Sequence, residues 1–286
     1  MKRGVSVTWR RGRDLIFWGL CALALALITA PAVSVLISVF HQAMPVLHLS
    51  LLTHRTNAGG ISNAILGTLL LLLGVFVVAG TIGVGGGIYL AEFGTGRVTA
   101  ALRFASEVLA GTPSIILGYV GYIVLVVQFH WGFSLLAAVL ALSALVLPYI
   151  VKTTEVALRQ IPSSLREATA GLGMNQTNAV WRVLVPPAIP GIVSGLIVAL
   201  AISTGELAPL LFTAGFTDAN PTFALFHHQV PYLTSVTYTD LSLPGATAHA
   251  TSAAAGLVSL ALLVGLIAVG RLVSVRSRRA TQQMTL

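Results

Sequence analysis

Six stretches of this chain are long and apolar enough to cross a lipid bilayer: Leu15–Phe40, Ile61–Leu90, Val108–Phe129, Phe133–Val151, Ala188–Ala214 and Ala248–Val269. A helical span needs about 20 mostly apolar residues. Inside hydrocarbon no water satisfies the backbone, so each run must pair its own N–H and C=O groups, which a helix does. The expected fold is therefore all-α, a polytopic transmembrane helical bundle of six spans. Only 8% of the residues are charged, against roughly a quarter in soluble domains. The net charge of +8 does not point to nucleic acid, because the basic residues are interleaved between apolar runs instead of gathered on one soluble face. Cys21 is the single cysteine, which excludes a disulfide within the chain and a cysteine metal site.

Basic residues mark which side each loop faces. Lys2, Arg3, Arg10, Arg11 and Arg13 precede the first run, and Arg271, Arg276, Arg278 and Arg279 follow the last. Six spans place both termini on one side, and these charges predict that side to be cytoplasmic. Arg97 and Arg103, then Lys152, Arg159, Arg166 and Arg182, fall in loops on the same side; Arg55 is the exception. The long outer segment 215–247 carries Asp218 and Asp240 but no Lys or Arg. The first apolar run is too long for the core of a signal peptide and lacks a clear cleavage site. The expected organisation is a basic N-terminus (1–14), a first span with its external loop (15–60), a core of five spans (61–270) carrying a cytoplasmic loop over 152–187, and a basic tail (271–286).

That loop is the most specific segment. Ser163, Ser164 and Glu167 predict a helix start, with Glu167 three residues after Ser164 as in a capping box, and Gly171 and Gly173 punctuate its end. A short helix, a glycine turn and a second amphipathic helix leave an apolar strip free to enter a partner's groove. Glu167-Ala168-Thr169, three residues, Gly173, nine residues, then Val183-x-Val185-Pro186 resembles the EAA loop of ABC-transporter permeases. The resemblance implies an ATPase-coupling dock shaped by Glu167, Ala168, Gly173 and Pro186, with Arg166 and Arg182 as polar contacts.

A second stretch, Gly205-Glu206-Leu207-Ala208-Pro209-Leu210-Leu211-Phe212-Thr213-Ala214, is similar to the signature of phosphate-import permeases of the PstA type. Gly111-Thr112-Pro113-Ser114-Ile115-Ile116-Leu117-Gly118 and Tyr89-Leu90-Ala91-Glu92-Phe93 also resemble that subunit, and the likeness runs from about Gly59 to the end of the last span. Related permeases often carry an arginine one turn before the glutamate, where this chain has Ile202, and a threonine where it has Leu207. Glu206 is the one acidic residue expected well inside a span, where a carboxylate costs a few kcal/mol and usually faces a bundle interior or a watery path. It is assigned to gating, to a cation on a sister subunit, or, protonated, to an interhelical hydrogen bond. Gly205, Pro209, Thr112, Pro113 and Ser114 mark helix interruptions whose half-helix ends line a pathway or form simple packing kinks.

Gly83-x-Gly85-Gly86-Gly87 lacks the Gly-Lys-Ser/Thr of a phosphate-binding loop, and the loop histidines lack metal-ligand spacing. No catalytic set emerges, and no cofactor is expected in this chain. The resemblance implies a type I ABC importer permease fold and an inner-membrane, multi-pass subunit that moves inorganic phosphate. Its expected partners are two ATPase subunits that bind ATP, a homologous permease, an external binding protein and membrane lipids. Alternatives are a permease for another oxyanion (phosphonate, sulfate or molybdate) or a secondary transporter that uses Glu206.

Overall fold

The computed structural model describes residues 7–283, with side chains described for residue 14 and for residues 16–272. The charges of Lys2, Arg3, Arg10, Arg11, Arg13, Arg276, Arg278 and Arg279 lie outside those side chains. Among the described residues there is no strand. Twelve α-helices follow one another: α1 (Val7–Ala43), α2 (Leu49–Thr53), α3 (Ser62–Ile88), α4 (Gly96–Gly111), α5 (Ser114–Gly121), α6 (Leu135–Arg159), α7 (Ser163–Gly171), α8 (Gln176–Ala179), α9 (Val185–Gly205), α10 (Ala208–Thr213), α11 (Leu233–Ser242) and α12 (Ala246–Gln283). Five segments are long and apolar enough to span: Ile16–Val46, Ser62–Phe93, Leu135–Arg159, Gln176–Gly205 and Ala246–Leu272. A sixth is bent, with Gly96–Gly111 meeting Ser114–Gln128 at 105°.

The third expected span, Val108–Phe129, is thus not one rod. Pro113 has no N–H to donate, and it forces Thr112 out of the helical region, to φ −83° and ψ 127°. The fifth also stops early: Glu206, at φ −76° and ψ 130°, is extended, and the chain restarts as α10. The glycine run of α3 does not loosen that helix. A Cβ at Gly83 would meet Ile150, and one at Gly87 would meet Thr154 and the Val151 carbonyl. Lipid tails are as apolar as leucine, so small residues that admit close backbone approach drive such pairing.

Three buried clusters stack along the bundle. The middle one joins α3, α6, α9 and α10 around Leu71, Val75, Leu142, Val146 and Ala199. One end gathers Leu51, Ile61, Leu233, Val236 and Ala254. The other gathers Ile88, Leu158, Val180, Leu184 and Ile192, and this end carries residues 163–187. Helix α1 packs chiefly on α12, with most of its described apolar side chains exposed.

Candidate functional site: a clasped helical hook and two broken spans

Helix α7 begins directly after Pro162, which holds the N-cap position at φ −55° and ψ 140°. Ser163 and Ser164 are therefore already inside the first turn, and no side chain caps the helix. The expected capping box does not form, because it needs Ser164 extended at the N-cap itself. The other end behaves as the glycine spacing predicts. Gly173 sits at φ +68°, its N–H reaches the Ala170 carbonyl at 3.0 Å, and the Met174 N–H reaches that of Thr169 at 3.1 Å. These paired bonds form a Schellman turn, with Gly173 at the left-handed position. Asn175 then caps α8 by accepting from the Thr177 N–H at 3.0 Å. The chain continues through a π-helical turn, Val180–Leu184, into α9.

The hook presents Leu172, 79% exposed, Trp181, 56% exposed, and part of Leu165. Glu167, Ala168, Gly173, Arg182 and Pro186 are also exposed. Arg166 turns inward instead. Its Nη2 donates to Glu92 Oε1 at 2.6 Å and to the Leu158 carbonyl at 2.9 Å, and its Nη1 donates to the Ile161 carbonyl at 2.8 Å. Gln176 Nε2 donates to the Glu92 carbonyl at 2.6 Å. Glu92, on the π-helical turn Tyr89–Phe93 that ends the second span, thus holds both limbs of the hook, one by its side chain and one by its backbone. Arg166 thus ties the helix to Glu92, with its side chain 32% exposed. Gly173→Ala is expected to loosen the hook by about 1 kcal/mol through the left-handed backbone, and Gly173→Asp to abolish co-purification of a docked partner, as read by pull-down.

Next to this clasp lies a second one that sequence reasoning missed. Glu155 is only 3% exposed, and its Oε1 accepts from Arg103 Nη1 at 2.6 Å and from Arg159 Nε at 2.9 Å. Arg103 Nη2 also donates to the Leu90 carbonyl at 3.1 Å. A buried carboxylate needs such partners; Arg103 ties α4, α6 and the end of the second span together, and Arg159 completes the pairing within α6. The i, i+4 spacing of Glu155 and Arg159 is the one local signal that could have found it.

At the breaks, Thr112 Oγ1 returns to the Val108 carbonyl at 2.7 Å, Pro113 is exposed and Ser114 is half-buried. Pro209 is buried, and a Cβ on Gly118 would lie 2.6 Å from its Cα. The two signature stretches therefore touch, backbone to backbone, where α5 crosses α10. Glu206 is half-buried beside exposed Gly205. Its carbonyl accepts from Thr234 Oγ1 at 3.1 Å, while its carboxylate has no hydrogen-bond or ion-pair partner among the described residues. Ile202, one turn earlier and 40% exposed, offers it no charge. At the far end, burial and then the Asp218 carboxylate push the Asp240 carboxyl above its ordinary range.

Membrane helices interrupted at Thr112–Pro113 and at Glu206, with a clasped hook at one end, define a polytopic membrane protein. Residues 83–279 match the family model described as binding-protein-dependent transport system inner membrane component, and the chain belongs to that family. It is 47% identical over 277 residues to the phosphate transport system permease protein PstA 2 of Mycobacterium bovis, covering 96% of this chain and 92% of that one. It is 34% identical over 219 residues to the probable ABC transporter permease protein YqgI of Bacillus subtilis, covering 75% and 74%. Among solved structures, an inward-facing MetNI methionine ABC transporter matches at a TM-score of 0.54 with 23% identity, covering 76% of this chain and 95% of that one. An amino acid ABC transporter matches at 0.55 with 22% identity, covering 76% and 92%. The fold is that of type I ABC importer permeases.

Proposed function

We propose that this chain is the PstA-type permease subunit of an importer that carries inorganic phosphate inward, powered by ATP hydrolysis on two ATPase subunits. The observation that carries this reading is the 47% identity, sustained over 277 residues, to a protein named for phosphate transport. The hook supports the coupling half of it. An exposed Leu172 and Trp181, on the two limbs that Glu92 holds, suit insertion into a groove on a partner. A homologous permease completes the pathway, and an external binding protein delivers the anion. In this reading both termini and the hook lie on the cytoplasmic side, supported by the placement of the basic residues, so the hook faces the compartment that holds ATP. The chain hydrolyses no ATP itself; its work is to transmit the closure of the ATPases to its spans.

A second reading, a different tetrahedral oxyanion, is favoured by one feature: Ile202 leaves Glu206 without a cation among the described residues. The test is ATP-dependent uptake of radiolabelled phosphate into proteoliposomes that contain this chain with its co-purified partners and binding protein. Unlabelled sulfate, molybdate and phosphonate serve as competitors. Uptake that only unlabelled phosphate suppresses is the expected result. Absence of phosphate uptake together with ATP-driven uptake of another oxyanion would overturn the substrate and keep the transporter class.

A further inference from the structure

Helices α6 and α9 lie side by side, and each leaves one stripe uncovered. On α6 the stripe runs through Tyr149, Lys152 and Val156; on α9 it runs through Ser194, Val198 and Ile202. The spacing of three and four residues puts each set on one face of its helix. Two open grooves flank the α6 stripe. One, of about 470 Å³, lies between α4 and α6; the other, of about 320 Å³, lies between α6 and α9. Both are lined by Lys152.

Lys152 stands 17 residues into α6, about 25 Å from Leu135 along the axis, within the inner half of the span. No carboxylate among the described residues is within ion-pairing distance of it. Its nearest acidic neighbour on the same helix, Glu155, is already held by Arg103 and Arg159. The remaining carboxylate in the larger groove, Glu107, is exposed and leaves Lys152 unpaired. The ammonium at this depth therefore has no ion-pair partner among the described residues, and grooves on both sides give a small anion room to approach it. Hydroxyl groups of Ser106, Tyr149 and Ser194 line the same grooves. Higher on the path, the Ile202 face offers no positive charge.

Resting on the phosphate reading above, we infer that Lys152 is the residue that holds the transported oxyanion on the inner half of the path, past Glu206 and before release. A single flexible ammonium suits this step. It attracts a doubly charged tetrahedral anion as a point charge, without the bidentate grip an arginine would supply, and Glu107 nearby keeps the field weak enough for the anion to leave. Gly195, which abuts Thr153, puts Lys152 about 16 Å below Glu206 along α9, eleven residues at the helical rise.

The test uses the assembled transporter with its binding protein, comparing wild type, Lys152→Met and Lys152→Arg for uptake and for ATPase stimulation by loaded binding protein. Lys152→Met is expected to lower the maximal uptake rate at least tenfold. The KM, set by the binding protein, and the stimulated ATPase stay within twofold. Lys152→Arg restores at least half the rate. Wild-type uptake by Lys152→Met would overturn the assignment and reduce Lys152 to a side chain reaching for the membrane boundary. Equal loss of ATPase and transport in both variants would also overturn it, as a structural role. If the wild-type transporter carries sulfate or molybdate instead of phosphate and Lys152→Met slows that anion, the substrate reading falls and the Lys152 site stands.

Discussion

Arg166→Ala is expected to free the Ser163–Gly171 helix and uncouple the transporter while leaving the bundle folded. The substitution removes the Nη2 and Nε bonds to Glu92 and the bonds to the carbonyls of Leu158, in the last turn of α6, and Ile161, just past it. It strands the Glu92 carboxylate, 9% exposed at its side chain, without its partner. Breaking a fully buried pair from one side costs about 3–5 kcal/mol. Because Arg166 is about one-third exposed, the local cost here is about 2–3 kcal/mol once solvent screening is allowed for. Hydrogen exchange should rise across residues 163–175 and stay unchanged in α3 and α6. Uptake should fall at least tenfold, with ATP hydrolysis no longer responsive to the loaded binding protein. Glu92→Gln should do much the same, and the double variant should cost little more than either single one, because the two side chains share one interaction. Lysine at position 166 should rescue poorly, since it cannot reach a carboxylate and two carbonyls with a planar fork. Unchanged exchange in Arg166→Ala would show that the hook is held by something other than this clasp.

Gly118→Val is expected to be as damaging by a different route. Its Cβ would press into the backbone at Pro209, 2.6 Å from Cα, and lie 3.1 Å from the Ala208 carbonyl oxygen. Neither is the end of a flexible side chain, so α5 must move away from α10. Overpacking of this kind costs about 3 kcal/mol where the obstacle is backbone. The two broken spans would part at their one close crossing. The expected result is a lower unfolding temperature of the purified complex and loss of uptake, with the hook still able to capture its partner. Gly111→Ala is the control: nothing lies within 4 Å of a Cβ there, and alanine is the better helix former. Equal loss in both variants would remove the crossing from the explanation.

The spans were legible from apolar run length because the bilayer leaves the backbone only one local solution. The breaks at Thr112–Pro113 and at Glu206 were legible as proline positions, yet the angle of the first was not, since a proline says where hydrogen bonding stops and not how the next helix packs. Gly173 declared its turn by type and spacing. Ser164 did not declare its failure as a cap, because Pro162 moved the helix start by two residues, a shift that spacing alone does not encode. The clasps were hidden for a different reason. Glu92 and Arg166 are 74 residues apart, and Arg103 reaches Glu155 from another helix. Charge placement in the sequence reports which end of the bundle a residue occupies. Which partner it finds there is decided by helix packing. The open side of α6 and α9, where Lys152 stands, is likewise visible only once the neighbours that cover the other sides are in place.

The helix that begins at Gln176, beside the clasp, runs without a gap to Gly205, beside Glu206. Thirty residues at helical rise make a rod about 45 Å long. A 5° tilt about one end carries the other through about 4 Å at that length, comparable to the width of a dehydrated oxyanion. The chain thus holds one helical arm between the clasp and Glu206, in which a small tilt at one end becomes a displacement of several ångströms at the other.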